Sequence, residues 1–128
     1  MVVRVVRLGS RRVPQEGTRI GTVRRPPRGV PKSEFAARDW YDVWYPELSP
    51  SAETLKMGQQ ADTPKSWQAF LKKYRMEMAE PGPARTLDLL AALSAHANFS
   101  VGCYCEDESR CHRSVLRELL AERGAKLA

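Results

Sequence analysis

All three cysteines and one of the two histidines of this 128-residue chain fall within ten residues of one another, in Val101-Gly102-Cys103-Tyr104-Cys105-Glu106-Asp107-Glu108-Ser109-Arg110-Cys111-His112-Arg113-Ser114. Cys103, Cys105, Cys111 and His112 are four soft donors of the types that hold zinc. Their spacing departs from the usual C-x2-4-C pair, and the adjacent Cys111 and His112 need a sharp turn to share one ion. Cys111 or Cys105, with His112 beside it, could instead act as a thiolate in a hydrolase or a redox protein, its pKa lowered by a helix start and a nearby arginine. Glu106, Asp107 and Glu108 oppose that ionisation by placing three negative charges beside the thiols. Seven residues separate Cys105 from Arg113 and six separate Cys103 from Arg110, which does not make the tight cysteine-arginine loop of a phosphatase cradle.

An anion site needs no unusual spacing, and it is the reading the residues favour. The free N–H groups of a helix start, with Arg113 and Ser114, would meet Arg24, Arg25 and Arg28 around a phosphate. The unreactive alternative makes the cysteines small buried hydrophobes, hydrogen-bonds His112 beneath a sheet and pairs the arginines with the acidic loop.

Charge points the same way. The chain carries 21 basic and 15 acidic residues, a net +6. Residues 1–32 hold nine basic groups against the single acid Glu16, so that stretch carries +8 and the remainder −2. Such a basic third suits an anionic partner, a nucleotide or nucleic acid. Solubilising surface charge is the plainer explanation.

These groups must be positioned by secondary structure. Val2 to Leu8 and Thr18 to Arg24 read as strands, rich in β-branched residues. Arg25-Pro26-Pro27-Arg28-Gly29-Val30-Pro31 follows as a rigid basic loop, placed where ligand loops of open α/β sheets lie. Ser33 to Trp44 is either a short helix or extended. Ser51 to Lys56 predicts a short helix that stops before Gly58. Thr63-Pro64 starts another, whose Trp67, Phe70, Leu71, Tyr74 and Met78 share one face for packing. Glu80 to Pro83 reads as a break before a well-buried helix from Ala84 to Ala97, with His96 structural near its end. Phe99 to Cys105 is a strand that points Cys103 and Cys105 to the same side. A last helix is expected to start near Ser109, with Cys111 and His112 turned inward in its first turn. Arg110, Arg113 and Arg117 then share another face, and Gly124 ends the helix.

The alternation of helix and strand predicts an α/β fold, a small three-layer α/β/α domain with a mostly parallel central sheet. At this length a single domain over 1–128 is expected. No apolar run approaches the roughly 18 residues of a membrane span. No secretory leader is visible, and the odd cysteine count argues against a disulfide framework, so the cytoplasm is the expected compartment. Nothing in the composition demands a cofactor.

Cys103-x7-Cys111-His112-Arg113, followed by an apolar helix, resembles the C-terminal signature of the domain of unknown function 488 family. Arg24-Arg25-Pro26-Pro27-Arg28-Gly29-Val30-Pro31-Lys32 resembles that family's basic loop. Trp40 to Leu55 and Trp67 to Tyr74 resemble the segments that follow it, so the likeness runs from Gly21 to Glu122. The resemblance implies a small cytosolic α/β/α domain of prokaryotic type and no established activity. Members commonly carry an acidic residue two positions after the first cysteine, where this chain has Cys105. Many also carry an aspartate just before the arginine of the early strand, which Gly21-Thr22-Val23-Arg24 lacks.

Overall fold

A computed structural model describes all 128 residues. Four strands, β1 (Val3–Arg7), β2 (Thr18–Gly21), β3 (Val43–Trp44) and β4 (Phe99–Cys103), form one sheet in the order β1-β4-β2-β3. Every pairing is parallel, with Val5 and Ile20 flanking Val101 on the central strand β4. All strands therefore end at the same edge of the sheet. The helices are α1 (Ala52–Gln60), α2 (Pro64–Met78), α3 (Pro81–Leu93) and α4 (Arg113–Glu122). This is the expected α/β class with a parallel sheet. None of the helices is long and apolar enough to cross a membrane.

Strand alternation decides what each face meets. Phe99 and Val101 point with Val3 into the main core, which they share with Tyr74 and Met78 of α2, Leu87, Leu90 and Ala91 of α3, and Val115, Leu116, Leu119 and Leu120 of α4. The opposite face presents Ser100 and Gly102. It is covered not by an α-helix but by the segments around Leu8 to Gly17 and Phe35 to Tyr41. There Leu8 abuts Gly102 and the Tyr41 ring abuts Gly21, so closely that a Cβ at either glycine would clash. A buried ion pair secures this second layer. Arg19 Nε and Nη2 donate to Glu16 at 2.7 and 3.0 Å, Ser100 Oγ donates to the same carboxylate at 2.8 Å, and Arg19 Nη1 donates to the carbonyls of Ser10 and Asp39.

The helix starts follow their caps. Ser51 accepts from the Thr54 N–H to begin α1, and Thr63 with Ser66 forms a reciprocal capping box for α2, with Pro64 in its first turn. Several boundaries differ from expectation: β2 ends at Gly21 rather than Arg24, β4 at Cys103 rather than Cys105, and α3 at Leu93 rather than Ala97. Helix α1 runs through Gly58 to Gln60, because that glycine is not a terminator but the point where the Phe70 ring of α2 presses on α1. Helix α3 begins at Pro81, since prolines suit a first turn whose N–H groups need no partner. It is also less buried than its composition implies: Leu89 and Leu93 are exposed, as is His96 just beyond it.

Candidate functional site

Because the sheet is parallel, the chain segments leaving β1, β2 and β4 emerge together. Leu8-Gly9-Ser10, Val23-Arg24 and Tyr104-Cys105 join the Arg25 to Arg28 loop, Trp40, Pro50, and Leu55 and Gln59 of α1 around a cleft of about 940 Å3. Arg7, at the end of β1, pairs in register with Cys103 and completes the rim. Four arginines, at 7, 24, 25 and 28, line this cleft, and none of its lining residues is acidic. Arg24 is partly committed, since its guanidinium donates to the carbonyls of Pro50 at 3.0 Å and Pro46 at 3.2 Å. Arg25 and Arg28 are exposed. Trp40 and Tyr104 meet edge to face at 5.7 Å, and the Tyr104 hydroxyl donates to the Arg25 carbonyl, tying the basic loop to β4.

Cys103, Cys105 and His112 form the floor. The Sγ atoms of Cys103 and Cys105 lie 3.8 Å apart, closer than the roughly 6.6 Å between alternate residues of a strand, because β4 ends at Cys103 and the chain bends at Tyr104. Sγ of Cys111 lies 3.8 Å from Nδ1 of His112. The donor atoms of Cys103, Cys111 and His112 all fall within 4.8 Å of one another. His112 Nε2 is 2.8 Å from the carbonyl oxygen of Thr22, which only accepts, so the proton sits on Nε2 and Nδ1 turns its lone pair toward the sulfurs. The Tyr74 ring backs the imidazole edge-on at 5.3 Å.

The thiols share their protons unequally. Hydrogen bonds from Cys103 and Cys105 hold Cys111 well below the ordinary thiol value, with burial opposing. Cys103 is pushed far up by its hydrogen bonds with Cys105 and Cys111 and by burial. For Cys105 the contact with Cys103 lowers the value, but the contact with Cys111 and burial outweigh it and the net shift is upward. Of the three thiols, only that of Cys111 is lowered. That sulfur is buried and does not line the cleft, whereas Cys105 is exposed and does.

Local structure explains how adjacent residues reach one point. Asp107 accepts from both the N–H and the Oγ of Ser109, closing a 3-10 turn over Glu108–Arg110. Cys111 is then extended, with φ −139 and ψ 153, and His112 turns helical as the N-cap of α4. The helix thus starts at Arg113 rather than near Ser109, and Ser109 donates instead of capping. Cys111 and His112 face inward as expected, from a turn rather than from a helix.

That delayed start redistributes the arginines. Arg113 is buried, donates from Nη2 to the Cys105 carbonyl, and makes no ion pair, with its Nε unpartnered. Ser114 donates to the Cys111 carbonyl at 2.9 Å and lines a separate depression between α2 and α4. Of the residues expected to group around an anion, Arg24, Arg25 and Arg28 line the cleft, and Arg113 and Ser114 do not. Arg110 stacks over Trp67 at 4.2 Å, and Arg117 pairs bidentately with Glu108, so no common arginine face exists. The acidic loop is likewise accounted for: Asp107 caps, Glu108 pairs with Arg117, and exposed Glu106 approaches Arg7 at 3.8 Å. Arg7, Trp40 and Tyr104 were not singled out from sequence, although the arginine at the end of a strand parallel to the cysteine strand is the signal that could have marked Arg7.

No curated protein and no solved structure gives a significant match to the chain. Residues 3–124 do match a family model described as the active DUF488-N3 subclade. That match takes in all four strands, the basic loop and the Cys103 to Arg113 stretch, and the chain accordingly belongs to the DUF488 family.

Proposed function

We propose that the cleft at the strand ends binds the phosphate of a nucleotide, free or within a nucleic-acid strand. The observation that carries this reading is the lining itself, with four arginines and no acid. Arg25 and Arg28 stand exposed on a proline-stiffened loop, so little side-chain and backbone freedom beyond their own rotamers is lost when they close on an anion. Guanidinium groups recognise phosphate through paired N–H donors. Trp40 and Tyr104 supply an aromatic wall against which a base can stack. The volume falls in the range of small-molecule pockets, roughly 300–1,000 Å3.

Fluorescence anisotropy with a labelled mononucleotide and a labelled single-stranded oligonucleotide, each at low and raised salt, tests the proposal. Binding of at least one probe is expected at low salt. The Arg25→Ala/Arg28→Ala double variant should weaken it by about tenfold or more, as for the loss of charge-assisted hydrogen bonds. A steep loss with salt identifies a strand as the ligand, and a shallow one a mononucleotide. No binding of either probe at low salt would end the reading.

A further inference from the structure

We infer that Cys103, Cys105, Cys111 and His112 form a binding site for a soft divalent metal ion of the zinc class, set into the floor of the arginine-lined cleft. Three donors of the right chemistry, Cys103, Cys111 and His112, converge there, and the Cys105 sulfur stands beside that of Cys103. A metal held by thiolates at about 2.3 Å in a tetrahedron sets its ligand sulfurs about 3.8 Å apart. Cys103 and Cys105 stand at 3.8 Å, and Cys111 Sγ and His112 Nδ1 at the same distance. Cys103, Cys111 and His112 form one compact triad, and the Cys105 sulfur, on the cleft side and 3.8 Å from that of Cys103, is the donor that would close the fourth corner around an ion.

Two further features are those of a metal centre rather than of packed thiols. A metal-bound histidine donates its other ring N–H to an outer partner that fixes its tautomer and direction. His112 does so, with Nε2 on the Thr22 carbonyl at 2.8 Å and Nδ1 aimed at the sulfurs. The second feature is Arg113. Its guanidinium is buried beside the cluster, contacts the Cys105 backbone, and has no carboxylate partner. A buried cation needs a counter-charge. A divalent ion bound by three thiolates and one neutral imidazole carries a net −1, which supplies it. A disulfide would engage only two of the three sulfurs. Binding releases the thiol protons to solvent and requires no oxidant.

This inference stands independently of what the cleft binds. Protein produced with zinc in the medium and purified without chelator should carry about one equivalent by elemental analysis. Replacing the zinc with Co2+ should give the visible absorption of tetrahedral cobalt together with a thiolate-to-cobalt charge-transfer band. Cys105 is exposed, so Cys105→Ser should fold and still weaken zinc in competition with a chromophoric chelator, by at least the roughly 10- to 100-fold typical of losing an outer-sphere partner. The Arg25→Ala/Arg28→Ala variant should keep its full metal content, which separates this site from the anion cleft. Substoichiometric metal, no cobalt bands, and thiols that react equally fast with and without zinc would overturn the assignment. So would a disulfide between any two of the three cysteines in protein purified with zinc.

Discussion

Arg19 and Arg113 are both buried guanidinium groups, and their partners differ. Arg19 is fully matched, by the Glu16 carboxylate and by two carbonyls. Glu16 was legible as the lone acid among nine basic residues, yet sequence reading counted it only as charge. Its role as the buried partner of Arg19, three residues on, depends on the loop that returns it beneath Ser100. Removing one member of such a pair strands the other, so Glu16→Gln should cost about 3–5 kcal/mol in denaturant unfolding. Burial alone would raise the Glu16 pKa, but the Arg19 and Ser100 hydrogen bonds outweigh it and hold it below its usual value. The pair's contribution is therefore fully present above the unfolded glutamate value, about pH 4.3, and is lost as pH falls through the folded one. Stability measured between pH 6 and pH 3 should fall less steeply in Glu16→Gln than in the parent. Parallel curves would exclude this linkage.

Elements were read more securely from sequence than the joints between them. The helical spacing of Trp67, Phe70, Leu71, Tyr74 and Met78 marks a packing face; four of the five are buried and Leu71 is half-buried. Gly58 and Pro81 were read as punctuation because composition does not reveal what a glycine touches or which turn a proline occupies. A Cβ at Gly58 would stand 2.7 Å from the Phe70 ring. Gly58→Ala should therefore destabilise by about 1–3 kcal/mol through overpacking, against the gain of about 1 kcal/mol that alanine brings to a helix interior. Adding Phe70→Leu should return part of the loss, and thermal unfolding of the three variants reads this directly. A stabilised Gly58→Ala would mean that the two helices are not pressed together there. The start of α4 was misplaced for a related reason. Ser109 is a fitting cap in isolation, but Asp107 binds it and sets the 3-10 turn that moves the helix to Arg113.

At the scale of the whole molecule the parallel sheet does the positioning. The run of helix, strand and helix around Phe99 to Cys103 announced it, and the common direction of the strands brings residues as distant as Arg7, Arg24 and Cys105 to one edge. What lay outside sequence reading was the cover of the second face. Phe35, Trp40 and Tyr41 sit in turns, with Asp39 at φ 61, and turns have no periodicity to recognise. The N-terminal charge excess was visible, but only the fold divides it. Arg12 pairs with Asp39 and Asp42, Arg19 with Glu16 and Arg7 with Glu106, while Arg7, Arg24, Arg25 and Arg28 line the cleft. Amide and indole chemical-shift mapping with an added mononucleotide tests that division most directly. The account predicts shifts at Leu8 to Ser10, Val23 to Arg28, Trp40, Tyr104 and Cys105, with Gln68 to Arg75 silent. Shifts confined to the α2–α4 side around Ser114, or none at low salt, would contradict it.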